Sequence, residues 1–275
     1  MMCGIGVDRL AKVLFACLLL TLPIVVAGCD SGAESLSVFA AAGAKPALDE
    51  AARQFQEEHG TEIEVSYGGG GEVLSRMVSA ETGDIYIAPE QTFMKIAVEQ
   101  GAVEPATMKS LAYMVPVLAV QKGNPKQITT LTDLARPGIR VAIARAEATL
   151  AGEYALEIFE KAGLAKGIAK NIVTEATRPD LLVTWLSMGE VDAVITWHFY
   201  QTLAPDDIEV VFLPPEQLTG IGEMQVAVST YSKNRDLAES FVDFLGSAEG
   251  KATFGKHGYI VDTEELEEYW PSARQ

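Results

Sequence analysis

Apolar and polar positions along this chain switch between two periods. Leu36–Ala42 (LSVFAAA) is a short apolar run that reads as a strand. Lys45–Gly60 then sets Leu48, Ala51, Ala52 and Phe55 on one helical face and stops at a glycine. Thr61–Tyr67 (TEIEVSY) alternates with period two, EVLSRMVSAETG after it is helical, and DIYIAP is a buried strand. Further on, Thr130–Gly138 predicts a short helix with Thr132 as its N-cap, IRVAIA a strand, and Leu150–Gly163 an amphipathic helix. PDLLVTWLSMGE is another helix, VDAVITW another strand, and Asn234–Gly258 holds two helical segments. Strands alternating with helices in this way predict an α/β fold built on a mostly parallel sheet.

The first 28 residues stand apart. Arg9 and Lys12 precede an uncharged apolar run, Val13–Ala27, too short and too polar in its sequel for a permanent membrane span. The run ends in Val26-Ala27-Gly28-Cys29, which resembles a bacterial lipobox, so Cys29 is expected to be lipidated and to anchor the chain on the extracytoplasmic or periplasmic face of the cell membrane. Residues 29–35 are small and polar, as suits a tether. All three cysteines fall in this leader region, so the body beyond it must be held by its core, without disulfides. The net charge of −17 is poor electrostatics for nucleic acid and favours solubility; with surface charges screened beyond about 8 Å, it does not select a small-molecule ligand.

Catalytic signatures fail in turn. The glycines at Gly68–Gly71 are not followed by the lysine of a phosphate loop, a strict G-x-G-x-x-G is broken at Val73, and H-E-x-x-H, C-x-x-C and G-x-S-x-G do not occur. His59, His198 and His257 lack metal-ligand spacing, and Asp84 and Asp192, beside buried-looking strands, read as structural hydrogen-bond acceptors. No enzyme and no cofactor is indicated. What remains is a repeated turn. Gly68–Gly71 lies between a strand and a helix, where unhindered N–H groups at a helix start can grip an oxyanion. Gly43 and Ala44 occupy a second such turn, and Ala148–Ala151 a third.

These stretches carry a resemblance. SVFAAAGAKPALDEAARQFQEEHG, VSYGGGGEVLSRM and GDIYIAPEQTFM, followed by VLAVQKGNPKQITTLTDLARPGIRVAIARAEATLAGEYALEIFEKAG, GEVDAVITW and DLAESFVDFLGSAEGKATFGKHGYIV, are similar in order to the molybdate/tungstate-binding proteins of bacterial ABC importers. The resemblance implies a type II periplasmic-binding-protein clamshell, each lobe a mixed sheet flanked by helices. Lobe 1 would be residues 36–113 with 229–275, and lobe 2 residues 114–228. It implies a monomer that hands a small oxyanion to an ABC permease. It also implies ligand contacts at Gly43, Ala44, Gly69, Gly70, Gly71, Thr149, Ala151 and Trp197. Where relatives place serines this chain has Gly43 and the glycine run, Pro89 cannot donate, and Trp197 stands where a tyrosine is common. Arg145 and Arg178 lie close in sequence to the expected contact loops, and either is a candidate to supply charge in place of the lost hydroxyls; His198 reads as structural. A cage made of donors alone is expected to reject a protonated phosphate, and Gly70→Asp to abolish binding with the fold intact. Rival readings keep the clamshell with ferric iron or another small anion as cargo, or make it a ligand sensor without transport.

Overall fold

In the computed structural model, residues 35–271 are described; the leader, Cys29 and most of the tether lie outside them. The first half of the chain runs β1 (Ser35–Ala41), α1 (Lys45–His59), β2 (Glu62–Gly68), α2 (Gly70–Ala80), β3 (Ile85–Ala88), α3 (Gln91–Glu99) and β4 (Lys109–Met114). One residue later the chain enters β5 (Pro116–Gln121), followed by β6 (Val141–Ala144), α4 (Leu150–Lys161), α5 (Ala165–Ile168), β7 (Ile172–Ala176), α6 (Pro179–Ser187), β8 (Ala193–Trp197), α7 (Tyr200–Leu203) and β9 (Ile208–Phe212). It closes with β10 (Gly222–Val228), α8 (Arg235–Gly246), α9 (Ala248–Lys256) and α10 (Thr263–Tyr269). The predicted helices and strands are present. The Thr130–Gly138 segment, however, is a 3-10 turn over Leu131–Ala135 capped by Thr130 rather than Thr132, because Asp133 reaches back to the Thr129 and Thr130 backbone.

Two five-stranded sheets result, ordered β2-β1-β3-β10-β4 and β7-β6-β8-β5-β9. In each, four strands run in one direction and one, β10 in the first sheet and β5 in the second, runs against them. The expectation of a mostly parallel sheet is therefore corrected: both sheets are mixed. The antiparallel strands are those entered from the connections between the lobes, and such long-range pairing leaves no mark on local periodicity. β10 pairs within the first sheet, so residues 222–228 belong with lobe 1 and the return from lobe 2 precedes Gly222. The C-terminus departs from the expected division as well. Leu266 of α10 is buried with Leu118, Leu134 and Phe159 of the second lobe, and Tyr269 stacks on Phe212 at 4.5 Å.

Alternate residues of the central strands face two different cores, which is why these strands read as unbroken apolar runs. Ile85 and Ile87 of β3 pack toward α1 and α8 with Leu36, Phe55 and Phe241, while Tyr86 and Ala88 face α2 and α3 with Leu74, Met77 and Met94. Asp84 and Asp192 play matching parts in the two sheets. Asp84 accepts from the Ser37 N–H at 2.9 Å and the Ser232 hydroxyl at 2.6 Å, tying β3 to β1. Asp192 accepts from the Arg140 N–H and guanidinium, both at 2.8 Å, tying β8 to the start of β6. Both carboxylates are structural, as read from the sequence. The parallel strands thus end side by side in each lobe, and the loops beyond them open onto one shared space.

Candidate functional site

That space is a cavity of about 70 Å³ between the lobes. It is far smaller than the roughly 300 Å³ or more of sites that take drug-sized ligands, which suits a small ion. Five helices of nine residues or more begin at its wall: α1 through Ala42–Ala44, α2 through Gly68–Gly70, α3 through Pro89 and Glu90, α4 through Ala148 and Thr149, and α6 through Thr177–Asp180. A helix start leaves its first N–H groups without intrahelical acceptors and carries partial positive charge. The wall is therefore rich in donors although few of its side chains are basic.

On the lobe 1 side the turns are stripped of side chains, and their carbonyls are occupied. The Tyr259 hydroxyl donates to the Gly43 carbonyl at 2.8 Å, and the Tyr86 hydroxyl to the Gly70 carbonyl at 3.1 Å. Two backbone acceptors beside the cavity are thereby engaged. The Gly69 N–H is engaged as well, donating to the Glu72 carboxylate at 3.2 Å, so the run presents the N–H groups of Gly70 and Gly71 rather than all three. Gly71 lies toward an outer part of the cleft with Glu72 and Glu147. A Cβ on Gly70 would stand 2.4 Å from the Pro89 ring and 2.9 Å from Phe93. This corrects the expectation that Gly70→Asp would spare the fold: α2 starts in contact with Pro89, and only glycine fits.

On the lobe 2 side the residues carry functional groups. Thr149 caps α4, its hydroxyl accepting from the Gly152 N–H at 3.1 Å, so its role at the wall is to hold the helix start in place. Ala151 is buried behind that turn and is not part of the cavity wall. Arg178 lines the cavity, its guanidinium paired with Asp180 at 3.0 and 3.1 Å. Arg145 is exposed, 4.0 Å from Glu175, and does not line the cavity. Trp197, 2% exposed at the end of β8, lines the wall and meets Tyr154 edge to face at 6.2 Å. His198 points away from the cavity: its Nδ1 accepts from the Val115 N–H at 3.0 Å, and burial pushes it down to about 4, so it is a neutral core residue.

Several wall residues carry no sequence signal that the local pattern exposes. Phe199 stacks between Tyr200 at 4.3 Å and Tyr259 at 4.2 Å, an aromatic wedge assembled from β8–α7 and the C-terminal segment. Burial pushes both phenols well above their ordinary range. Glu90 is the least expected. It is 3% exposed, its Oε2 is fully buried without a hydrogen-bond partner, and burial pushes its carboxyl up to about 7. The wall is thus not made of donors alone. Among the described residues no group of three or more His, Cys, Asp or Glu is placed to hold a metal ion.

A small interlobe cavity ringed by helix starts is the architecture of a solute receptor, and the sequence agrees. The profile of the bacterial extracellular solute-binding proteins matches residues 36–260. The chain belongs to this family. Among curated solute-binding proteins, it is 26% identical over 233 residues to the molybdate-binding protein ModA of Escherichia coli, covering 82% of this chain and 89% of ModA. Its fold is similar to the periplasmic molybdate-binding protein of Azotobacter vinelandii, with a TM-score of 0.71 at 19% identity, covering 82% of this chain and 99% of that one. It is equally similar to the sulfate-binding protein SubI of Mycobacterium tuberculosis, with a TM-score of 0.71 at 20% identity, covering 86% and 92%. The solute-binding family is one of extracellular binding proteins rather than enzymes, and among the described residues no helix is long and apolar enough to cross a membrane.

Proposed function

We propose that this chain is the oxyanion receptor of an ABC importer, with molybdate or tungstate as first candidates. In this reading it is a monomer, held at the extracytoplasmic face through lipidated Cys29, that delivers its anion to a permease. The observation that carries this reading is the convergence of five helix starts on a cavity of about 70 Å³ whose nearby carbonyls at Gly43 and Gly70 are taken by tyrosine hydroxyls. The 26% identity to a molybdate-binding relative supports the choice of anion. Backbone N–H groups of Gly43, Ala44 and Gly70 replace part of the lost hydration shell, and Arg178 adds charge from lobe 2. The anion touches both lobes and so favours the closed arrangement by its differential affinity for it. Delivery is the reverse step, when the permease prefers the lobes apart.

The test is a thermal-shift series on purified, ligand-stripped protein with molybdate, tungstate, sulfate, phosphate and ferric citrate. An anion at a hundred times its dissociation constant adds about 2.7 kcal/mol to stability, a readily measured rise in melting temperature. Larger shifts with molybdate and tungstate than with sulfate or phosphate are expected. A shift with ferric citrate alone would replace the cargo, and no shift with any oxyanion would remove the reading.

A further inference from the structure

Among the described residues, the cleft contains one acid with a buried oxygen that no other group satisfies. Glu90 is the N-cap residue of α3, yet its side chain does not cap that helix. Glu90 lines the cavity, and its carboxyl oxygen Oε2 is fully buried without a partner. Arg178, across the cleft, is paired with Asp180. An ionised carboxylate in that position would face a bound anion across a water-poor cavity, and like charges at such range are strongly repulsive. A neutral carboxylic acid there is instead a hydrogen-bond donor.

We propose that Glu90 is a ligand-facing residue that carries the one proton the bound state requires, so that a fully deprotonated oxyanion enters the cleft together with a proton taken from solvent and held on Glu90 against an anion oxygen. The inference rests on the oxyanion reading above and adds to it a specificity rule: in the bound cleft the count is one anion and one proton. An anion that brings its own proton can present it to an ionised Glu90. An anion that brings none needs Glu90 protonated.

The charged and titratable groups around Glu90 leave it as the carrier. Tyr86 on β3, Tyr154 on α4 and Tyr200 on α7 all interact with it electrostatically. Burial holds Tyr154 up at about 12 and pushes the other two higher, so none of the three phenols ionises near neutrality. From the start of α6 the cavity receives the Arg178–Asp180 ion pair. Glu90, brought by burial to about 7, changes charge in the neutral range.

Titration calorimetry of the wild-type protein with sodium tungstate and sodium molybdate from pH 6 to pH 9 tests this, since neither anion changes protonation over that range. With one group titrating near 7, affinity is expected to fall about a hundredfold between pH 6 and pH 9. At pH 8 and above, experiments in two buffers of different ionisation heat are expected to show uptake of about one proton per anion. Glu90→Gln keeps a donor at this place with no proton to lose, and its affinity is expected to be flat with pH and to exceed that of the wild type at pH 9. Tight wild-type binding that is flat with pH and takes up no proton would overturn the role of Glu90 and leave the oxyanion receptor standing. Absence of binding by either anion at pH 6 would overturn both. Should Glu90→Gln not fold, wild-type proton uptake decides the matter by itself.

Discussion

In lobe 1 the turns that begin α1 and α2 reach the cavity with nothing larger than a methyl group, at Ala42–Ala44 and Gly68–Gly70; in lobe 2 the turns that begin α4 and α6 bring a threonine and an arginine. The first half of the cleft works by subtraction. Removing side chains lets backbone N–H groups approach, while tyrosines from elsewhere hold the Gly43 and Gly70 carbonyls. The second half works by addition, with Thr149 fixing a helix start and Arg178 supplying charge beside Asp180. Backbone donors cannot titrate or leave their place, so the α1 and α2 turns of lobe 1 offer shape and lobe 2 offers a fixed charge, while Glu90, at the start of α3 in lobe 1, is an adjustable group.

The glycines of the two lobes differ for a related reason, and the largest expected effect breaks that contrast. In lobe 2 the critical glycine is Gly152, in the first turn of α4. A Cβ there would lie 2.4 Å from the Ala144 carbonyl oxygen and 2.6 Å from the Arg145 carbonyl carbon. Both are main-chain atoms at the end of β6, so no side chain can swing away. Gly152→Ala is expected to destabilise the fold by about 3 kcal/mol, at the upper end of overpacking effects, measured by denaturant unfolding. A loss under about 1 kcal/mol would show that α4 is free to slide on the sheet, and Thr149 would then not be a rigid part of the cleft.

Comparable in size is the stability hidden in Glu90. Its carboxyl sits at about 7 in the folded, ligand-free protein against an ordinary 4.5, so folding favours the protonated form. The stability tied to this proton is fully present below about pH 4.5 and is lost as pH rises through 7. Glu90→Gln removes that loss. The variant is expected to match the wild type at pH 4 and to exceed it by about 3 kcal/mol at pH 8, since each pKa unit corresponds to about 1.4 kcal/mol. Equal stability at both pH values would mean that the carboxylate finds compensation in solution, which would weaken the contrast between fixed donors and one adjustable group.

Local pattern was enough for much of the fold and for half of the cleft. Helix α1 is visible in Leu48, Ala51, Ala52 and Phe55, and Gly60 ends it with a positive φ of 69°. The strand–glycine–helix turns pointed to the cavity because such turns place N–H groups by backbone geometry alone. Pairing was less legible. β5 and β10 enter their sheets antiparallel after the chain has crossed between lobes, and nothing in VLAV or MQVAV states the direction of a neighbour that distant. Arg145 and Arg178 look alike in sequence, and only the packing of β6, β7 and α6 sends one outward and the other into the cleft. Tyr259 meets Gly43 across 216 residues. Glu90 did leave a trace: it follows the buried run IYIAP immediately, as the glycines follow β2, but a charged residue in that place reads as solvent-facing until burial is known.

The smallest expected effect restores to lobe 1 the kind of side chain that it lacks. A Cβ on Gly43 would meet Phe199 at 3.6 Å, the Tyr200 hydroxyl at 3.7 Å and the Tyr259 hydroxyl at 3.8 Å, ordinary contacts that need no rearrangement. Gly43→Ser should therefore leave stability within about 0.5 kcal/mol of wild type. If lobe 1 lacks only a donor, the added hydroxyl should strengthen tungstate or molybdate binding by a factor of about 3 to 10, the worth of roughly one net hydrogen bond. Calorimetry at pH 6, where Glu90 is protonated, isolates that gain from proton uptake. Weaker binding with unchanged stability would carry the opposite lesson: the Phe199–Tyr200–Tyr259 wedge has shaped the cavity around a bare glycine, and the missing hydroxyl is part of the fit to the ligand.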